Sequence, residues 1–439
     1  MSNTRIDAPT TSSQPDQPSA AYRRYALGLL TLVYITSFVD RQILAVLLED
    51  IKGAFDVSDT FLGFLSGFAF ALFYATLGIP IAMWADRGNR RNIISLALAL
   101  FSIMTALCGM AQTFTHLLIA RIGVGVGEAG TSPPSHSIIA DLYEPKDRAT
   151  AMGTYAIGVN VGIMVGFFAG GWINELYGWR AAFMAVGIPG LVIATVVRLT
   201  LKEPVRGASE GRVLVTPTEK PSVLSAAKTF WKIRTMRHIA FGAALNAFVG
   251  YASITWIPSF LSRSYGMSSG DIGTYLSLII GIGGGIGTFL GGYFADVLGK
   301  RDVRWNLWLP ASLILFALPF CWGVFLADSS TASLSWYVVP AMLGTVYLGP
   351  SLALTQSLVP LHMRTVASAI LLFIINILGM GLGPQTVGIT SDLLADRFGD
   401  ESMRYALFLS VFMYLWSAFH FYMASRTLKE DLASVSDRA

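Results

Sequence analysis

Twelve apolar runs of about twenty residues recur along this 439-residue chain, separated by mostly short polar connections. A run of that length is sufficient to cross the hydrocarbon core of a bilayer as a helix. In lipid the helix is favoured because it satisfies every backbone N–H and C=O within its own segment. The runs lie near 25–47, 60–84, 92–111, 114–139, 150–174, 180–200, 238–261, 272–295, 305–326, 333–358, 365–391 and 403–424. Only 13% of residues are charged and 54% are hydrophobic. Soluble domains carry about 25% charge, so the polar groups needed to cover a water-facing surface are missing. The expectation is an all-α integral membrane protein of twelve transmembrane helices.

The basic residues say which way the helices run. With the N-terminus inside, 24 of the 31 Lys and Arg fall in the tails and loops of one side. The other side holds Lys52, Arg180, Arg263, Arg397 and Arg404. By the positive-inside rule both termini face the cytoplasm. The net charge of +4 is spread over these loops and forms no patch, which argues against a nucleic-acid partner. Cys108 and Cys321 both lie within apolar runs and read as small buried hydrophobes. The five histidines show no metal-ligand spacing, so neither metal nor cofactor is expected.

The chain divides into a tail at 1–22, a six-helix bundle at 23–201, a linker at 202–237, a second six-helix bundle at 238–425 and a tail at 426–439. The first twenty residues, with Pro9, Pro15 and Pro18, read as disordered. The run that starts at Tyr25 is too long for a cleaved leader and is kept as the first span. Within the linker, the basic piece Ala226–Arg237 reads either as an interfacial amphipathic helix, with Phe230 and Trp231 toward lipid, or as a solvated connection. The halves repeat. Asp86-Arg87-Gly88-Asn89-Arg90-Arg91 follows the second run, and Asp296-Val297-Leu298-Gly299-Lys300-Arg301 follows the eighth. Pro145 and Arg148 after the fourth run recur as Pro360 and Arg364 after the tenth. Two internal repeats that rock about a central site are a common route to alternating access.

These motifs carry a resemblance. The pattern at Gly292, Asp296, Gly299, Lys300 and Arg301 resembles a hallmark of the major facilitator superfamily; the first copy departs from it at Ala82 and Asn89 and keeps Asp86, Arg90 and Arg91. Arg121-Ile122-Gly123-Val124-Gly125-Val126-Gly127-Glu128-Ala129, Ile138 to Tyr143 and Glu203-Pro204-Val205-Arg206-Gly207 look like spinster-type members. The resemblance implies a major facilitator fold of two pseudo-symmetric six-helix bundles and secondary transport by alternating access. It also implies a cytoplasmic gate at Asp86, Arg90, Arg91, Arg148, Asp296, Lys300 and Arg301, and places the chain, as a monomer, in a bacterial inner membrane. Gly158, Gly162, Gly166 and Gly170 line one face of the fifth run, and Gly283, Gly287 and Gly291 one face of the eighth. Small residues on such faces let backbones approach, and the resemblance implies that these two helices pack together across the halves.

Four formal charges lie well inside the spans: Asp40, Arg41, Arg121 and Glu128. Each costs about 2.5–3.5 kcal/mol at mid-bilayer even on a mild scale, so they are expected to face a polar cavity and pair. Arg121 and Glu128 are two helical turns apart on one face, about 10 Å along the axis, which leaves room for each to meet a partner on the first helix. Glu128 and Asp40 are the candidates for proton coupling, because burial and a movable Arg push a carboxyl pKa in opposite directions. Arg41 and Arg121 are candidates for a substrate carboxylate or phosphate. The competing reading is a static network that holds helices together. Asn246, Tyr251, Tyr347 and Gln356 are candidates for the second half of the site, with Thr255 and Trp256 beside them. The expected cargo is an amphipathic organic anion such as a lysophospholipid or sphingosine-1-phosphate, moved with protons. The alternatives are symport of a small carboxylate and, from another class, a ligand-binding membrane sensor. No nucleotide loop or catalytic constellation stands out, so an enzyme is not expected. Lipids, protons and a small-molecule or lipid substrate are the expected partners.

Overall fold

The computed structural model describes residues 18–207, 223–360 and 363–436. Most of the tail expected to be disordered, at 1–17, lies outside the described residues. Every element among the described residues is helical. Among the described residues ten helical stretches are long and apolar enough to cross a membrane, and the last of these, 364–434, turns back at Gly399 and holds two crossings. A further crossing at 114–142 is broken in the middle and completes twelve.

The twelve are α1 (Ala20–Phe55), α2 (Asp59–Arg87), α3 (Arg90–Gly109), α4 (114–142), α5 (Pro145–Tyr177), α6 (Trp179–Thr200), α7 (Arg234–Tyr265), α8 (Ser269–Gly299), α9 (Trp305–Leu326), α10 (Ser330–Ser357), α11 (364–398) and α12 (402–436). Their exposed faces carry large apolar side chains such as Phe289, Leu326 and Leu393, as a hydrocarbon-facing surface requires. Turns are tight. Gly178 alone joins α5 to α6 at φ +81°, a conformation that costs glycine nothing.

Two helices depart from the expected continuous spans. α4 stops at Glu128 and restarts at Ser132. Pro133 and Pro134 sit in the first turn of the new segment, where their missing N–H groups and ring clash with the preceding turn interrupt a helix. α10 breaks in the same way between Leu343 and Leu348, two residues before Pro350. Pro134 and Pro350 share the offset that relates Arg148 to Arg364, so the break is part of the repeat. π-helical turns occupy Phe64–Phe68 in α2, Ser277–Gly283 in α8 and Ile375–Gly381 in α11.

The glycine ladder of α5 packs inside its own half. A Cβ on Gly162 would lie 2.5 Å from Phe38 Cβ and 2.8 Å from the Ile35 carbonyl, and one on Gly166 would lie 2.9 Å from Gln42 Cβ. The ladder's own partner is α1, while the expected packing of α5 on α8 across the halves is present as well. α5 does meet α8 across the halves, through other residues: Gly273 approaches Gly171, Gly281 approaches Met164, and Asn160 lies against Gly285. Gly287 and Gly291 of α8 face Met342 and Val346 of α10. A ladder marks a crowded face without naming the helix that crowds it. Gly162→Ala is expected to cost about 1–3 kcal/mol by overpacking, read as a lower unfolding midpoint in detergent. Gly153→Ala, where a Cβ meets nothing within 4 Å, leaves the midpoint in place.

Within the linker, Val223–Lys232 forms a helix. Its Phe230 is buried in the protein core and not turned to lipid as expected, whereas Trp231 is exposed and packs on Phe241, ring centroids 6.0 Å apart. Residues 234–237, which the sequence reading placed in the linker piece, begin α7. α12 continues to Ser436, so most of the expected C-terminal tail is helical.

Candidate functional site

The four intramembrane charges pair as α1 against α4. Arg121 donates from Nη1 to Asp40 Oδ2 at 2.7 Å, and Arg41 donates from Nε to Glu128 Oε2 at 2.6 Å. The two-turn spacing of Arg121 and Glu128 matches the crossing of α1, and adjacent positions on α1 send their side chains to different partners. Asp40 also accepts from Thr105 Oγ1 of α3 at 2.5 Å. It therefore ties α1 to both α3 and α4.

The two pairs differ in access. The Asp40 and Arg121 side chains are 0% and 2% exposed, whereas the Arg41 side chain is 15% exposed over a fully buried Glu128 carboxylate. Glu128 Oε1 has no hydrogen-bond partner among the described residues. Glu128 ends the first segment of α4, and Thr131 in the break donates to its carbonyl at 2.9 Å. Interrupted helices of this kind are where transporters build sites, because they free backbone groups and turn side chains into the interior.

Aromatic side chains surround Arg41. Its guanidinium carbon lies 5.1 Å from the centroid of Phe38, 5.1 Å from Phe70 and 4.6 Å from Tyr74. Phe70 also lies beneath Arg121, at 5.5 Å. Tyr34 stacks on Tyr155 at 4.4 Å, and His136 meets the same ring edge-on at 5.1 Å. Cation–π attraction grows as the cation loses water, so the cage holds a charged guanidinium beside an apolar wall. The sequence reading missed Phe38, Phe70, Tyr74 and Thr105; aromatic residues on apolar helices look alike until the charges they face are known.

Among the second-half candidates, Tyr251 of α7 packs against the core cluster that contains Phe70. Asn246 is buried, and neither of its amide atoms has a hydrogen-bond partner among the described residues. Tyr347 is buried at the break in α10, and Gln356 is exposed in the last turn of that helix, donating to Ser368 Oγ at 3.2 Å. Trp256 is a packing residue whose indole donates to the Pro384 carbonyl of α11 at 2.9 Å. The charged centre thus belongs to the first half, and Tyr251 is the second-half candidate that packs beside the cluster around it.

At the end of the molecule that carries the termini, Arg90 joins pieces of the first half. It bonds Glu203 Oε1 (2.7 Å), Ser137 Oγ (2.7 Å), the Pro204 carbonyl (2.9 Å) and Asp141. Arg91 N–H donates to Glu203 Oε2 at 3.0 Å, and Arg206 donates to the carbonyls of Ala85 and Gly88. The Glu203–Gly207 segment is therefore a strap over the α2–α3 loop. Arg148 donates to the Ala140 carbonyl at 3.0 Å. Asp86 lies in the last turn of α2, beside that loop. In the second half, Asp296 and Lys300 end α8 and Arg301 is exposed. Next to them Asp302 pairs with Arg304 (2.8 Å) and Lys429 (3.0 Å), and those cations hold its carboxyl well below the usual carboxylate range.

The opposite end joins the halves. Arg263 of α7 grips Glu49 of α1 and Asp59 of α2, and Asp392 of α11 accepts from the backbone N–H groups of Asp59 and Thr60. Ser269 donates to the Gly171 carbonyl, Gly270 N–H to Glu175 and Trp172 to Thr274, adding α5–α8 contacts there.

A family model described as Major Facilitator Superfamily matches residues 30–384. Over 411 residues the chain is 33% identical to an MFS-type efflux pump of Mycolicibacterium smegmatis, spanning 93% of this chain and 94% of that one. Over 420 residues it is 27% identical to Protein spinster homolog 1 of Xenopus laevis, spanning 90% and 79% respectively. A crystal structure of a bacterial homologue of the human lysosomal transporter spinster, inward-facing and unoccupied, matches with a TM-score of 0.84 and 34% identity, over 94% of this chain and 99% of that one. With this family model covering most of its length and this fold, the chain belongs to the major facilitator superfamily of membrane transporters and is spinster-like within it.

Proposed function

We propose that the protein is a proton-coupled secondary transporter of an amphipathic organic anion, with Arg41 as the anion-binding group and Glu128 as the exchangeable proton site. The observation that carries this reading is the Arg41–Glu128 pair itself. Arg41 gives only Nε to the carboxylate, it is the accessible member of the charged quartet, and one Glu128 oxygen is unpartnered. A ligand anion approaching the guanidinium competes with Glu128. Protonating Glu128 releases the guanidinium for that anion, so a proton and an anion favour each other's binding. Asp40 is the second candidate carboxyl; closed in by Arg121 and Thr105, it serves mainly to hold α1, α3 and α4 in register.

The aromatic surround favours an amphipathic cargo. An anionic head would meet Arg41, and an apolar portion would lie along Phe38, Phe70 and Tyr74, with Tyr251 opposite. A lysophospholipid or a sphingosine-1-phosphate-like lipid has that form. A short carboxylate would use the same arginine and leave the rings without a partner. In this reading the end carrying the termini is cytoplasmic, Asp86, Arg90, Arg91, Arg148, Asp296, Lys300 and Arg301 belong to its gate, and the present shape is inward-facing. The inter-half bonds gathered at the far end, and the shape shared with an inward-facing relative, support it.

Binding tests the cargo class. Purified protein in detergent is expected to bind a radiolabelled lysophospholipid, and a short dicarboxylate is expected to compete poorly. Arg41→Ala is expected to weaken lysophospholipid binding by roughly tenfold or more, the scale of one lost charge-assisted hydrogen bond. Equal competition by the short acid would favour the small-carboxylate reading.

A further inference from the structure

The far end of the molecule carries a second charged network about which the transport site says nothing. Arg263, in the last turn of α7, makes four hydrogen bonds to two carboxylates of the other half. Nε and Nη2 bond Glu49 at 2.9 and 2.8 Å, and Nη1 and Nη2 bond Asp59 at 2.7 and 2.7 Å. Asp59 is nearly fully buried and takes two more partners, Lys52 Nζ and Ser391 Oγ, both at 2.7 Å. Asp392 supplies a helix cap from across the molecule: its carboxylate accepts from Asp59 N–H (3.0 Å) and Thr60 N–H (2.8 Å) at the start of α2. Asp50 is occupied separately by Asn174 at 2.6 Å. Above the network lies a cavity of about 390 Å³ bordered by Glu49, Lys52, Asp59, Arg263, Asp392 and Asp400.

The contacts are cooperative in one direction. Separating the halves at this end removes both guanidinium clamps and the α2 cap together. It leaves Asp59 and Glu49 with only Lys52 to offset two carboxylates, while Arg263 and Asp392 depart together with the other half. An Arg fork fits two carboxylates at once, which an ammonium cannot reproduce. The network is also built from α1, α2, α7 and α11, which are drawn from both bundles.

We propose that Arg263 is the gating residue that holds the far end of the transporter closed, and that the Arg263–Asp59–Asp392 network sets the balance between the two access states. The proposal rests on alternating access and is independent of the cargo and of proton coupling. Breaking a buried ion pair from one side leaves an uncompensated charge, so the closed state loses far more than it would on removal of a surface pair.

Distance measurement by double electron–electron resonance tests this without any transported substrate. The full chain in lipid nanodiscs carries spin labels at Ala54→Cys and Asp396→Cys, both exposed at the far end, or at Arg87→Cys and Thr365→Cys, both exposed at the end carrying the termini. The native cysteines are buried. Arg263→Ala is expected to raise the population of the longer far-end distance by at least about tenfold, with a matching shortening between positions 87 and 365. Arg263→Lys is expected to fall between wild type and Arg263→Ala, and Asp392→Asn to shift the balance in the same direction. Unchanged distributions in monodisperse Arg263→Ala overturn the proposal. So does a far-end lengthening with no change at the other end, which would mean local fraying. If Arg263→Ala does not yield folded protein, wild-type distributions in both Arg263→Lys and Asp392→Asn overturn it equally.

Discussion

Arg121→Ala is expected to yield protein that is poorly folded in detergent, destabilised by about 3–5 kcal/mol. The substitution strips the partner from Asp40, whose side chain is 0% exposed. Among the described residues Thr105 Oγ1 is then the remaining hydrogen bond to the carboxylate, and a hydroxyl cannot neutralise it. The carboxyl must either stay charged without compensation or take up a proton, and both weaken the junction of α1, α3 and α4. Replacing both partners with apolar residues is the control. Asp40→Leu with Arg121→Met leaves no buried charge, and such double replacements are often neutral or better for stability. The unfolding midpoint and monodisperse yield are therefore expected to fall in the single variant and recover in the double. Equal losses in both would mean that volume and not charge dominates this site.

Glu128→Gln is expected to do the opposite: retain the fold and remove proton dependence. Glutamine keeps the shape, and its carbonyl oxygen still accepts from Arg41, so no buried charge is orphaned on α4. Arg41 loses its counter-charge yet remains 15% exposed, where a ligand anion or a polar cavity can serve it. The variant mimics the protonated state. Anion binding is expected to be as tight as or tighter than wild type at neutral pH and to lose most of its pH dependence. Transport against a gradient is expected to fail because no proton can be released. Equilibrium binding measured across pH separates this outcome from simple misfolding.

These expectations depend on features that were unequally visible in the sequence. Apolar run length and the lopsided distribution of Lys and Arg are properties of single segments, so helix number could be read from them directly. The pairing of Asp40 and Arg41 with Arg121 and Glu128 was also within reach, because a seven-residue interval fixes a face and a distance on a helix. The break after Glu128 was overlooked although Pro133 and Pro134 signal it, since both lie within an otherwise apolar run. The α5 ladder defined a crowded face, but its partner α1 emerges only from the three-dimensional arrangement. The far-end network was the least visible. Glu49, Asp59, Arg263 and Asp392 each look like an ordinary charge at a membrane surface, and Arg263 stands 204 positions from Asp59 in the chain. Nothing in their local surroundings shows that they meet.

Proton-coupled movement of an amphipathic anion stands or falls on transport of a labelled lysophospholipid in proteoliposomes, with and without an imposed pH gradient and with wild type beside Glu128→Gln. Gradient-stimulated movement is expected in wild type and none in Glu128→Gln, from protein whose unfolding midpoint matches wild type. Gradient-stimulated movement that persists in Glu128→Gln would contradict proton coupling at Glu128.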